Sequence, residues 1–335
     1  MTLVLAVVML TMVLPWAAVP ATRRLAVLLP PREACAALTG AALLLAGGTV
    51  AALIGLFHVP FLASLEQIPL SRAAAEWPAI VPVAAVAGAV LAFQAVLLVR
   101  RWYERRSTLA RAWASTGDAV PDGDLLVVPD SEPQAFALPG WRGRNGRVVV
   151  TTGMLKTLGP AEREVLLGHE RAHLTGRHHL WSVTAYLAAA VHPALRPLRP
   201  ALDFHLERWA DESAASAVGD RRLAATAIAR AALAAASAEK AGKGRGPLLS
   251  VSTGPVPQRV EALLQPVPVR PSARRTQAAV AGLVTAVTVS ALLGLVLAWG
   301  GGAGGGGGGA RGGGGGGPPR PPPAGTPSTR TAWSE

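Results

Sequence analysis

Four long apolar runs, separated by stretches rich in arginine, organise this 335-residue chain. They cover residues 3–19, 34–57, 78–99 and 277–299. Within each run the apolar positions are continuous, without the three-to-four spacing of an amphipathic helix or the alternation of a half-buried strand. About 20 apolar residues are needed to cross the hydrocarbon of a bilayer, so the runs predict membrane-spanning helices. The first is short and interrupted by Pro15, and no basic leader precedes it. It reads as a retained span, not a cleaved signal peptide. Polar residues return at 58–77 with Glu66, Arg72 and Glu76, which predicts a loop.

The basic residues give an orientation. Arg23, Arg24 and Arg32 lie between the first two runs, Arg100, Arg101, Arg105, Arg106 and Arg111 follow the third, and Arg270, Arg274 and Arg275 precede the last. Arginine and lysine collect on the cytoplasmic side of a membrane. The chain is therefore expected to be a multi-pass protein of the cell membrane with the N-terminus outside, residues 112–270 in the cytoplasm and the C-terminus outside. Trp16, Trp77, Trp102 and Trp299 fall near the run ends, where either an interfacial aromatic belt or ordinary packing accounts for them.

Residues 112–270 are the one region able to fold as a soluble domain. Strands are predicted at 125–128, 134–138 and 147–152, with a turn-rich connection at 140–146. Pro160 stands at the favoured first position of a helix, with Glu162 and Glu164 where the macrodipole prefers acids. Further helices are predicted at 199–218 and 221–238, followed by a Gly/Pro-rich loop at 239–257. The apolar stretch 180–195 is only about sixteen residues long and holds His192 and Pro193, so it suits a buried or membrane-edge helix. Residues 300–335 are a glycine- and proline-rich tail that cannot bury a core and is expected to be disordered. The expected fold class is mainly α: polytopic membrane helices plus a cytoplasmic α+β domain of the zincin metalloprotease kind.

The net charge of +12 and the hydrophobic half of the chain limit the choice of partners. The arginines flank spans and do not cover one folded face, so the partner is the lipid bilayer and no nucleic acid. Cys35 is the single cysteine, which excludes an intramolecular disulfide.

The candidate chemistry lies in His169-Glu170-Arg171-Ala172-His173, an HExxH stretch inside the helix that Pro160 opens. Positions four apart share one helix face, so His169 and His173 can hold one metal ion while Glu170 serves as a general base. Arg163, Arg171 and Arg177 keep this helix out of the bilayer. A catalytic zinc ordinarily takes three protein ligands. Glu207 and Asp211, also four apart, offer the third ligand and a carboxylate to orient a ligating histidine. The pattern points to zinc-dependent hydrolysis of peptide bonds with one Zn2+ per chain.

His169-Glu170-x-x-His173 followed by Glu207-x-x-x-Asp211 resembles the gluzincin arrangement. With Ala135-Phe136-Ala137-Leu138-Pro139-Gly140 and Arg147-Val148-Val149-Val150-Thr151-Thr152-Gly153, it looks like the membrane zinc peptidases of the BlaR/MecR and HtpX/Ste types. The order of spans resembles the BlaR/MecR type more closely. The resemblance implies His169, His173 and Glu207 as zinc ligands, Glu170 as the catalytic base and Asp211 as the partner of His169. It implies that 134–138, with Ala135, Phe136 and Ala137, is an edge strand for an extended substrate. His178 and Arg259 are further candidates for contact with substrate or transition state. Two departures stand out. Gly254-Pro255 occupies the place of a His-Pro pair, and a Gly/Pro tail stands where the antibiotic sensors carry a penicillin-binding domain. The leading expectation is a metalloendopeptidase acting on cytosolic or membrane-proximal proteins in signalling or quality control, with a transcriptional repressor as one candidate substrate. The alternative is a proteolytically weak membrane signal transducer.

Overall fold

The computed structural model describes residues 2–65, 69, 71–72, 75, 78–116, 121–240 and 255–266. The predicted run at 277–299, its arginine entry, Gly254 and the tail lie outside the described residues. Among those described, three long helices lead into a helical domain with one small sheet.

Helices α1 (Thr2–Val27), α2 (Pro31–Leu65) and α3 (Ile80–Ser115) contain the first three apolar runs. The segments Pro31–Phe61 and Ile80–Ser115 are long and apolar enough to cross a membrane. Their most apolar windows are only 33% and 22% buried, unlike the core helix of a soluble protein. Leu43, Phe57, Val86 and Phe93 present bare hydrocarbon to the outside, which water disfavours and lipid accepts. Helix α1 continues through both Pro15 and Pro20.

The loop expected from residue 58 begins later, because α2 continues to Leu65. Val59 and Phe61 prolong its apolar character, and the ring of His58 stays bonded to the helix through Nδ1 and the Ile54 carbonyl, 2.9 Å away. The stretch expected at 180–195 is helix α6 (His178–Val191) with a 3₁₀ turn at Pro193–Leu195. Its Ala185, Ala188 and Leu195 pack inside the protein against Leu38 and Leu45 of α2.

The sheet has the order β1-β2-β4-β3, formed by β1 (Pro121–Asp122), β2 (Leu125–Val128), β3 (Ala135–Leu138) and β4 (Arg147–Thr151). Strands β2 and β4 are parallel, and β3 lies antiparallel to β4 with Phe136 opposite Val149. This leaves β3 at the edge. The Trp113 indole N–H of α3 donates to the Pro139 carbonyl at 3.0 Å, seating the sheet on the end of a membrane-candidate helix.

Strand β4, expected over 147–152, stops at Thr151, one residue before the expected end. The Thr151 hydroxyl accepts from the Met154 N–H at 3.2 Å and so caps the short helix α4 (Thr152–Thr157). Gly153 passes so close to the Ser131 carbonyl that a Cβ would have no room.

Helix α5 (Pro160–Thr175) starts as expected, with the Glu162 carboxylate accepting from the Gly159 N–H at 2.9 Å. It packs with α7 (Leu198–Val218), α8 (Arg221–Lys240) and α9 (Val256–Leu264) around Val165, Ala214, Ala224 and Leu263. Residues 241–254 of the expected loop lie outside the described residues, and α9 begins at its last two positions and runs on through a stretch for which no element was predicted. Its Val256, Val260 and Leu263 are spaced for one helix face, and Pro257 sits in the first turn.

Candidate metal centre

Helix α5 presents His169 and His173 from one face, one turn apart, and α7 presents Glu207 opposite them. The His169 and His173 Nε2 atoms are 3.1 Å apart. Glu207 Oε2 lies 3.5 Å from His169 Nε2, and Glu207 Oε1 lies 3.5 Å from His173 Nε2. Three atoms bound tetrahedrally to one zinc at 2.0–2.1 Å stand roughly 3.3–3.4 Å from one another. The donor set therefore has the size and chemistry of a zinc site with two imidazoles and one carboxylate. Two imidazole nitrogens facing each other at 3.1 Å with a carboxylate alongside also need a positive charge between them, either a proton or a cation.

Support for the donors comes from a buried polar shell. Asp211, one turn after Glu207, places Oδ1 3.0 Å from His169 Nδ1. Arg259, delivered by α9, bonds Asp211 through Nε at 2.8 Å and Nη2 at 2.6 Å. Its Nη1 lies 3.0 Å from Glu207 Oε2. All four side chains are nearly inaccessible to solvent. On the other histidine, His173 Nδ1 lies 2.8 Å from His178 Nδ1.

Burial alone would keep His169 neutral, but its contacts with Asp211 and Glu207 outweigh that cost and push it up to about 10. Burial, with less compensation, takes His173 down to about 4. Glu207 also suffers from burial, yet His169, His173 and Arg259 hold it well below the usual carboxylate range. Burial raises Glu170 to about 7, opposed by the charge of His169 and by a hydrogen bond from the Ala137 backbone N–H.

The structure brings the sequence-predicted residues together in three groups. His169, His173 and Glu207 converge as donors, with Asp211 beside His169. Ala135, Phe136 and Ala137 lie on the edge strand, where Ala137 touches Glu170. His178 and Arg259 are 3% and 4% exposed and lie against His173 and Glu207 instead of facing an open cleft. Sequence reasoning missed Trp209, whose ring lies 4.6 Å from that of His178. Nothing in its spacing marks it, because its contact is made with another helix.

Residues 104–196 match the model of peptidase family M48. A stretch of 73 residues, 22% of this chain and 25% of the relative, is 41% identical to a protease HtpX homolog of Methanocaldococcus jannaschii. The homolog of Moorella thermoacetica is 41% identical over 58 residues, 17% of this chain and 19% of its own length. That of Thermodesulfovibrio yellowstonii is 36% identical over 73 residues, 22% of this chain and 26% of its own. The chain thus spans about a quarter or less of the length of these curated relatives. No solved structure matches. Over residues 104–196 the chain is thus similar to the M48 peptidases, among them the HtpX homologs, and His169, His173 and Glu207 form a group able to hold a metal ion.

Proposed function

We propose that this chain is a membrane-anchored zinc metalloendopeptidase that cuts cytosolic or membrane-proximal proteins, in regulated signalling or in quality control. The observation that carries the reading is the convergence of His169, His173 and Glu207 at distances of 3.1–3.5 Å, with the buried Glu170 next to His169 on α5.

His169, His173 and Glu207 would hold the zinc ion, which would supply Lewis acidity toward a carbonyl and toward water. Glu170 takes the proton of the attacking water at its carboxylate and later gives it to the leaving amine. Its elevation to about 7 suits both halves of that exchange near neutral pH. Asp211 fixes the ring of His169, and Arg259 fixes Asp211 in turn. The outer edge of β3 pairs with the backbone of an extended substrate, bringing its scissile bond alongside Glu170.

The arginine clusters support a cytoplasmic catalytic domain with both termini outside. The order of spans favours the BlaR/MecR arrangement, in which a transcriptional repressor is a suitable substrate.

Zinc content of the detergent-purified chain tests the reading. Wild type is expected to hold about one zinc, Glu207→Ala much less, and Glu170→Gln a full complement with no cleavage of a protein substrate. A folded wild type without zinc, or a cleaving Glu170→Gln variant, would remove the proposal.

A further inference from the structure

The two histidine donors are supported in different ways. His169 leans on Asp211, a carboxylate locked by Arg259, whereas the Nδ1 of His173 meets another imidazole. The His173 and His178 rings stand at 85° with centroids 4.6 Å apart. At a Nδ1–Nδ1 separation of 2.8 Å one nitrogen must donate and the other accept, since two bare lone pairs or two protons would repel.

The position of His173 Nε2 decides which. It faces His169 Nε2 and Glu207 Oε1, so an ion there needs its lone pair. A neutral imidazole has a single N–H, and that proton must then sit on Nδ1. We propose that His178 is the positioning residue for His173: its Nδ1 accepts the His173 Nδ1–H, which fixes the tautomer and aims a bare Nε2 at the metal. This inference rests on the zinc site proposed above.

The surroundings hold His178 in that place. Arg177, just before it, adopts the left-handed conformation at φ 50° and ψ 41°, turning the chain so that the first residue of α6 folds back against the end of α5. Residues with a Cβ adopt that conformation only when the surrounding structure holds them there. Trp209 covers one side of the ring. Gly176 leaves space on another: a Cβ there would lie 2.5 Å from His178 Nε2 and 2.7 Å from Cδ2. The Trp181 indole N–H donates to the Gly176 carbonyl at 3.1 Å and fastens this turn.

His178 Nε2 is buried with no hydrogen-bond partner among the described residues. A buried polar group left so is unfavourable for folding. A phenylalanine would fill the same space without it, so packing does not account for a histidine here. The bond to His173 does.

Full-length chain in detergent separates the alternatives through His178→Phe, which keeps the ring but no acceptor, and His178→Asn, whose Oδ1 replaces Nδ1. Zinc affinity, measured by competition with a chromophoric chelator, is expected to fall about 10–100-fold in the Phe variant. The Asn variant should stay close to wild type. Gly176→Ala, which crowds the ring without removing it, should weaken zinc binding in the same direction. Lost peptidase activity in the Phe variant should return with excess zinc. Wild-type affinity in His178→Phe overturns the proposal, as does an Asn variant that melts like wild type yet binds as weakly as Phe. Should the Phe variant fail to fold, weakened binding in Gly176→Ala with near-normal binding in Asn supports the inference, and the reverse overturns it. A wild type that binds no zinc sinks the metal-site reading itself.

Discussion

Arg259 grips Asp211 with two parallel hydrogen bonds, 2.8 Å from Nε and 2.6 Å from Nη2, although the residues are 48 positions apart. Both are sealed from solvent. Without Arg259 the buried carboxylates of Asp211 and Glu207 keep only histidine partners, and breaking a buried pair in this way costs about 3–5 kcal/mol. Arg259→Met should therefore lower the melting temperature of the metal-free protein sharply. Arg259→Lys should recover only part of the loss, since an ammonium cannot reproduce the two-point contact. Thermal melts in detergent read both, and an Arg259→Met variant as stable as wild type would exclude this role.

Zinc uptake should release about one proton per ion near neutral pH, because ligands must shed their protons to bind. Of the three donors only His169 is pushed up, to about 10. His173, at about 4, and Glu207, held well below the usual carboxylate range, are already deprotonated. The sign follows: apparent zinc affinity rises with pH through the neutral range, by about tenfold per unit for one proton. Calorimetry in buffers of different ionisation enthalpy measures the release, best on Glu170→Gln so that Glu170 cannot contribute. Release of no proton would show that His169 is neutral before the metal arrives.

The hydrogen bond from Ala137 N–H favours the ionised form of Glu170. Proline at 137 deletes that donor, and an edge strand can accept a proline whose nitrogen faces away from its neighbour. Ala137→Pro should leave the sheet folded and raise the Glu170 pKa. The acidic limb of the pH profile of kcat/KM should then move to higher pH, since Glu170 acts as a base only when ionised. An unmoved limb would place this N–H outside the catalytic machinery.

Arg171 and Asp124 give the opposite expectation. They form a two-point contact at 2.6 and 2.9 Å, yet their side chains are 47% and 45% exposed. Water screens such pairs, and their measured worth is about 0–1 kcal/mol. Asp124→Ala should change the melting temperature little and leave zinc content unchanged. A loss comparable to that of Arg259→Met would overturn this ranking.

The local sequence already determined the parts whose physics is local. Unbroken apolar runs require helices of membrane length, and Pro160 with Glu162 starts α5 where the orphan N–H groups need them. The spacing of His169 with His173, and of Glu207 with Asp211, follows from the period of one helix, so each pair could be placed on a face without knowing the fold. Even there the boundaries erred. The largely apolar stretch after His58 carries α2 on to Leu65, and the strand expected to reach Thr152 ends at Thr151, whose hydroxyl caps α4.

Only the tertiary structure decided what meets across elements. Arg259 reaches Asp211 and Glu207 because α9 docks on α8 and α7, a placement that no spacing within 255–266 encodes. His178 reaches His173 because Arg177 reverses the chain, and Trp209 covers His178 because α7 packs against α6. These contacts join residues through packed side chains, whereas sequence periodicity reports only the face a residue occupies on its own helix. The four donors and acids were legible for that reason. The shell that orients them was not.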